Sequence, residues 1–126
     1  MKLQFLPDGS RDCPLIRLYD FDQEEVLRLK ESFDHLADGS ATSVLLHEQA
    51  GVEPIDRCQL ILRTGKRDAG VVQSGASTFE CTLSPERWSD VAALAESICA
   101  AVRQNTYQWL NEDGEISLLL SRDGRW

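Results

Sequence analysis

Apolar and polar residues alternate along several stretches of this chain, and in two places the alternation gives way to a helical period. Phe79, Cys81 and Leu83 alternate with Thr78, Glu80 and Thr82, the pattern of a strand with one buried face. Ser84 then reads as an N-cap, with Pro85 at the first helical position, where its missing N–H costs nothing. Leu83 and Trp88 stand at the two ends of a hydrophobic staple. Beyond them Trp88, Val91, Ala92, Ala95, Ile98, Cys99 and Val102 fall on one side of a helix, which predicts an amphipathic helix buried along that stripe.

The same arrangement occurs earlier. Asp22 is an N-cap, Glu25 completes a capping box, and Phe21 and Val26 form the staple. Val26, Leu29, Phe33, Leu36 and Ala37 make the buried stripe, and Gly39 ends the helix. His35 points nearly opposite that stripe, one turn after Glu31. The two units share almost no residue identities, so common helix-start chemistry explains the likeness as well as an internal duplication does.

The remaining segments read as strands and turns. Lys2 to Leu6 and Leu15 to Tyr19 form a hairpin across Pro7-Asp8-Gly9-Ser10. Thr42 to His47 is a short strand and Glu48 to Asp56 a surface loop. Cys58 to Arg63, Val71 to Gln73 and the strand ending at Leu83 read as a meander feeding the second helix. Thr106 to Leu110 and Glu115 to Leu120 flank Asn111-Glu112-Asp113-Gly114, a hairpin signal. Short hairpins outnumber long crossovers. The pattern predicts one α+β domain over residues 1–126, with a mainly antiparallel sheet of hairpins and a meander and two amphipathic helices packed on one face.

Composition narrows the function classes. Of 126 residues, 42% are hydrophobic, enough for a core, so disorder is not expected. The net charge of −8 repels a phosphate backbone, which argues against nucleic acid. No apolar run approaches the ~20 residues of a membrane span. Pro7 and Asp8 interrupt the N-terminus before a signal-peptide core could form, so a cytoplasmic location is expected. Cys13, Cys58, Cys81 and Cys99 show no C-x-x-C spacing and read as reduced thiols; Cys13, the one loop cysteine, is the candidate reactive thiol, with nothing nearby in sequence to lower its pKa.

Candidate chemistry is sparse. The apolar strand from Leu15 ends in Asp20-Phe21-Asp22, a D-x-D that resembles the first motif of haloacid-dehalogenase-type phosphatases. Gln23 and Glu24 stand where that family has Thr or Val followed by an aliphatic residue, and no succession of βα units follows. Asp22 already has a complete explanation as an N-cap. His47 and Glu48 are adjacent in a strand and point to opposite faces. No zinc spacing, nucleophile elbow, P-loop or dinucleotide fingerprint occurs, so neither metal nor cofactor is expected.

Two charge runs are left. The first helix carries Glu24, Glu31 and Asp34, a surface for a basic protein partner. The turn Thr64-Gly65-Lys66-Arg67, with Arg57 and Arg63 near it, could take an anion or an acidic partner through Lys66 and Arg67. The expected function is a non-enzymatic protein-interaction module. The alternative is a small-ligand binder or enzyme with a pocket between sheet and helices. A sheet edge could also pair with a second copy of the chain.

Overall fold

The computed structural model describes residues 1–100 and 106–126. The fold is α+β, with two α-helices and nine strands in two sheets among the described residues. In chain order the elements are β1 (Lys2–Leu6), β2 (Leu15–Tyr19), α1 (Gln23–Asp38), β3 (Ser43–Leu45), β4 (Glu53–Pro54) and β5 (Gln59–Thr64). They continue as β6 (Gly70–Gln73), β7 (Thr78–Leu83), α2 (Pro85–Ala100), β8 (Tyr107–Asn111) and β9 (Ser117–Ser121). Val102, expected on the second helical stripe, lies outside the described residues.

Both sheets are mixed rather than purely antiparallel. The first has the order β4-β1-β2-β9-β8 and the second β3-β5-β7-β6. The hairpins are antiparallel, but the central pairs are parallel: β2 with β9, Leu15 opposite Ser117, and β5 with β7, Gln59 opposite Thr78. The segment read as a meander is therefore not one, because β6 lies beyond β7 rather than between it and β5. The segment from Thr42 to His47 pairs only over Ser43–Leu45 and then winds into a 3-10 turn at Leu46–Glu48. The loop from Glu48 to Asp56 contains β4, which pairs in parallel with β1.

The topology repeats. A hairpin, a helix and a second pair of strands (β1-β2, α1, β3-β5) are followed by the same series (β6-β7, α2, β8-β9). Within each half the two strand pairs enter different sheets, and each sheet is completed by strands of the other half. The structure thus gives the two helix-start units a common architecture that their side chains barely record.

The helix starts follow their sequences closely. Asp22 Oδ1 accepts from Glu25 N at 2.8 Å, while Asp22 N donates to Glu25 Oε1 at 3.1 Å, the reciprocal capping box. Glu25 Oε2 also receives the Met1 ammonium. Gly39 closes α1 at φ 82°, a left-handed cap. At α2, Ser84 Oγ accepts from Arg87 N at 3.3 Å. Gly70, at φ 71°, and Gly114 let the start of β6 pass against the β8–β9 turn: a Cβ on Gly70 would lie 2.2 Å from Gly114 N.

One core joins these parts. Val26, Leu29, Phe33 and Leu36 of α1 and Trp88, Val91, Ala95 and Ile98 of α2 pack with Ile16, Leu18, Leu60, Leu62, Phe79, Leu118 and Leu120. Phe33 and Trp88 stack with ring centroids 5.6 Å apart, and the buried indole donates to Arg63 O at 2.9 Å. Leu15 and Leu119 alternate out of that core and are nevertheless fully buried. Near them Arg17 donates to Gly124 O at 2.7 Å, and Trp126 meets Trp109 edge-on.

Trp88→Ala should therefore cost about 3–5 kcal/mol of unfolding free energy in urea titration. His35→Ala should fall within about 0.5 kcal/mol of the parent, since His35 is exposed and bonds only neighbouring surface groups. A Trp88→Ala loss below about 1 kcal/mol would contradict this packing.

Candidate functional site

The end of α1 meets the start of α2 because the helices run antiparallel, with the Phe33–Trp88 stack beneath their contact. Above that stack lies an open groove of about 550 Å³, lined by Asp34, Ala37, Asp38, Pro85, Glu86 and Ser89. Ala37 and Ser89 are small enough to leave the groove open, and three carboxylates face it from the two helices. Lys30 donates to Asp34 at 2.7 Å, and this bond, with Glu96 of α2 farther off, holds the Lys30 ammonium above its usual value. The Ser40 hydroxyl and backbone N–H hold the Asp38 carboxyl below the usual range. Neither Asp38 nor Glu86 has a cationic partner among the described residues.

The charge around this groove is one-sided. Helix α1 carries Glu24, Glu25, Glu31, Asp34 and Asp38 against Arg28 and Lys30, and α2 carries Glu86, Asp90 and Glu96 against Arg87 alone. The helical layer therefore holds most of the chain's net negative charge.

On the other side of Pro85 and Glu86 is a second cleft of about 640 Å³, lined also by Thr64, Gly65, Lys66, Asp68 and Ser84. It lies where β5 and β7 end and α2 begins. Asp68 Oδ1 accepts from Ser84 N and Ser84 Oγ, both at 2.8 Å, and these bonds depress its pKa. The position related by the repeated topology, where β2 and β9 end and α1 begins, holds a smaller cleft lined by Asp20, Phe21, Asp22, Gln23, Arg122 and Asp123. Asp22 there is committed to its cap and Asp20 lies 3.3 Å from Lys2. Among the described residues no group of three or more His, Cys, Asp and Glu side chains is placed to hold a metal ion.

The residues singled out from sequence are partly brought together. Asp34 and Lys66 lie on the two sides of Glu86, in adjoining clefts. Glu24 is at the opposite end of α1, hydrogen-bonded by Arg28 at 2.9 Å, and Glu31 lies 3.6 Å from His35. Arg67 is exposed on the turn after β5, outside the cleft that Lys66 lines. Asp38, Glu86 and Ser89 are the residues that sequence reading missed. No signal in the chain marks them, because a first-turn acid such as Glu86 has an ordinary role at a helix start. Comparison with protein-family models, curated proteins and solved structures finds no match.

His47, the cysteines and the Arg87–Asp113 pair lie outside these clefts. His47, expected at a strand end, sits in the 3-10 turn, where Nδ1 accepts from Leu60 N at 3.2 Å. Burial pushes the Cys81 thiol up to about 12 and that of Cys58 to about 11. Cys13 is half-buried, 3.6 Å from Ser10 Oγ. Arg87 clamps Asp113 through contacts of 2.6 to 3.1 Å, and Asn111 Nδ2 donates to the same carboxylate at 2.9 Å. Arg87 and then Asn111 hold the Asp113 carboxyl below the usual range.

Asp68 and Asp113 thus have lower pKa values folded than unfolded. The stability they contribute is fully present above the unfolded carboxyl pKa of about 3.9 and is lost as pH falls through the folded values. The urea midpoint should drop between pH of about 5 and about 2, and Asp113→Asn should lower the midpoint at neutral pH and flatten that acid-side drop. Equal acid slopes in the two proteins would contradict this assignment.

Proposed function

We propose that this chain is a non-enzymatic protein-interaction module, acting in the cytoplasm, whose acidic helical layer receives a basic segment of a protein partner. The observation that carries the reading is the convergence of Asp34, Asp38 and Glu86 on the α1–α2 groove, two of them without a cation of their own among the described residues. An incoming Lys or Arg side chain would satisfy those carboxylates at the surface, where complementary charge mainly speeds association and fixes orientation. Lys66, which shares the adjoining cleft with Glu86, would favour an acidic residue next to the basic segment and so set its direction, with Arg67 adding positive charge from the same turn outside that cleft. Glu24 and Glu31 extend the negative field along α1 without lining the groove. No helix among the described residues is long and apolar enough to cross a membrane.

The alternative of a small-ligand or enzyme site between sheet and helices has less support, because Phe33, Trp88, Leu60, Leu62 and Phe79 occupy that space. The two grooves beside Glu86 are open to the surface rather than enclosed between sheet and helices.

Calorimetric titration with a short lysine- and arginine-rich peptide tests the reading. Binding to the parent protein should weaken as salt rises from about 50 to about 300 mM. Asp34→Lys combined with Glu86→Lys should weaken it by about tenfold or more at low salt, and Glu24→Lys by less. Equal affinity of the parent and the double variant would overturn the groove as the docking site.

A further inference from the structure

The repeated topology bears on a partner independent of the acidic groove. Residues 1–64 hold β1 to β5 and α1, and residues 70–121 hold β6 to β9 and α2. Inside either half, the first hairpin never pairs with the second strand pair. In the first half β4 adds only Glu53–Pro54 to the β1–β2 hairpin, and in the second half each sheet fragment is a single hairpin, so both sheets are completed only where the halves meet. Each half is completed across β2 with β9, across β5 with β7, and by α1 on α2. None of these contacts depends on both halves belonging to one chain.

The covalent link between the halves runs from Gly65 to Ala69. It joins β5 to β6, which flank β7 on opposite sides, so its ends are about two strand spacings, or ~10 Å, apart. To make that crossing the link passes over the chain leaving β7. Gly65 N donates to Leu83 O at 3.0 Å, and Asp68 accepts from Ser84. Drawn out instead of folded back, the same residues reach ~20 Å, enough to carry the second half away from the first.

We propose that a second copy of this chain is a binding partner, through reciprocal exchange of residues 70–126 about the Gly65–Ala69 link. The exchange closes with twofold symmetry, as domain-swapped dimers do. Each lobe then contains β1 to β5 and α1 of one copy with β6 to β9 and α2 of the other. The α1–α2 groove of each lobe takes Asp34 and Asp38 from one copy and Glu86 from the other.

Deletion of Lys66–Asp68 tests this directly. It leaves Gly65 and Ala69 between β5 and β6, a reach of at most about 11 Å with no slack to pass over the exit from β7. The variant should fold with the circular dichroism of the parent and show twice the chain mass by light scattering. The intact chain, refolded from denaturant at high concentration, should yield a dimer fraction of the same mass that returns to monomer only after unfolding. A deletion variant that folds as a monomer overturns the proposal. So does a variant that fails to fold while the intact chain refolds at high concentration to monomer alone.

Discussion

The parallel pairing of β2 with β9 and of β5 with β7 is the constraint on which the rest of this structure depends. These two pairs lie at the centres of the two sheets and are the places where the first half of the chain meets the second. Their inward side chains, Ile16, Leu18, Leu118 and Leu120 on one sheet and Leu60, Leu62, Phe79 and Cys81 on the other, supply much of the core. Long-range pairing must be made before it is rewarded, because closing the chain between Leu15 and Ser117 costs entropy first. The two halves therefore have little stability to gain separately.

The helices serve that arrangement and also create the surface. Because β2 and β7 each run straight into a capped helix, α1 and α2 start at matching ends of the two sheets and pack antiparallel. Antiparallel packing brings the last turn of α1 beside the first turn of α2. The first turn of a helix favours acids, which accounts for Glu86, and Asp38 is held by its own hydrogen bonds to Ser40. The groove's negative charge follows from local helix chemistry at two separate places that tertiary packing then joins.

Much of the local structure was legible in the sequence. The capping box at Asp22, the cap at Ser84, the alternation from Phe79 to Leu83 and the hairpin around Asn111 to Gly114 each record interactions between near neighbours. The antiparallel partners β1–β2 and β8–β9 were legible through their turns, but the parallel partners were not, since parallel neighbours have no turn to announce them. One signal was present and unused. The run Leu118-Leu119-Leu120, like Leu15-Ile16, lacks the alternation of a half-solvated strand, as expected of central strands buried on both faces. Of the groove, Asp34 could be read from the acidic helix. Asp38 and Glu86 could not, because their meaning depends on which ends of the helices touch.

Native-state hydrogen exchange measured residue by residue tests the interlocked halves most directly. The slowest amides of β2 and β5 should share one opening free energy with those of β7 and β9, equal to that of global unfolding. Protection that persists in β1, β2 and β5 while β7 and β9 exchange through a lower-energy opening would show that the first half stands without the second, and would contradict this account.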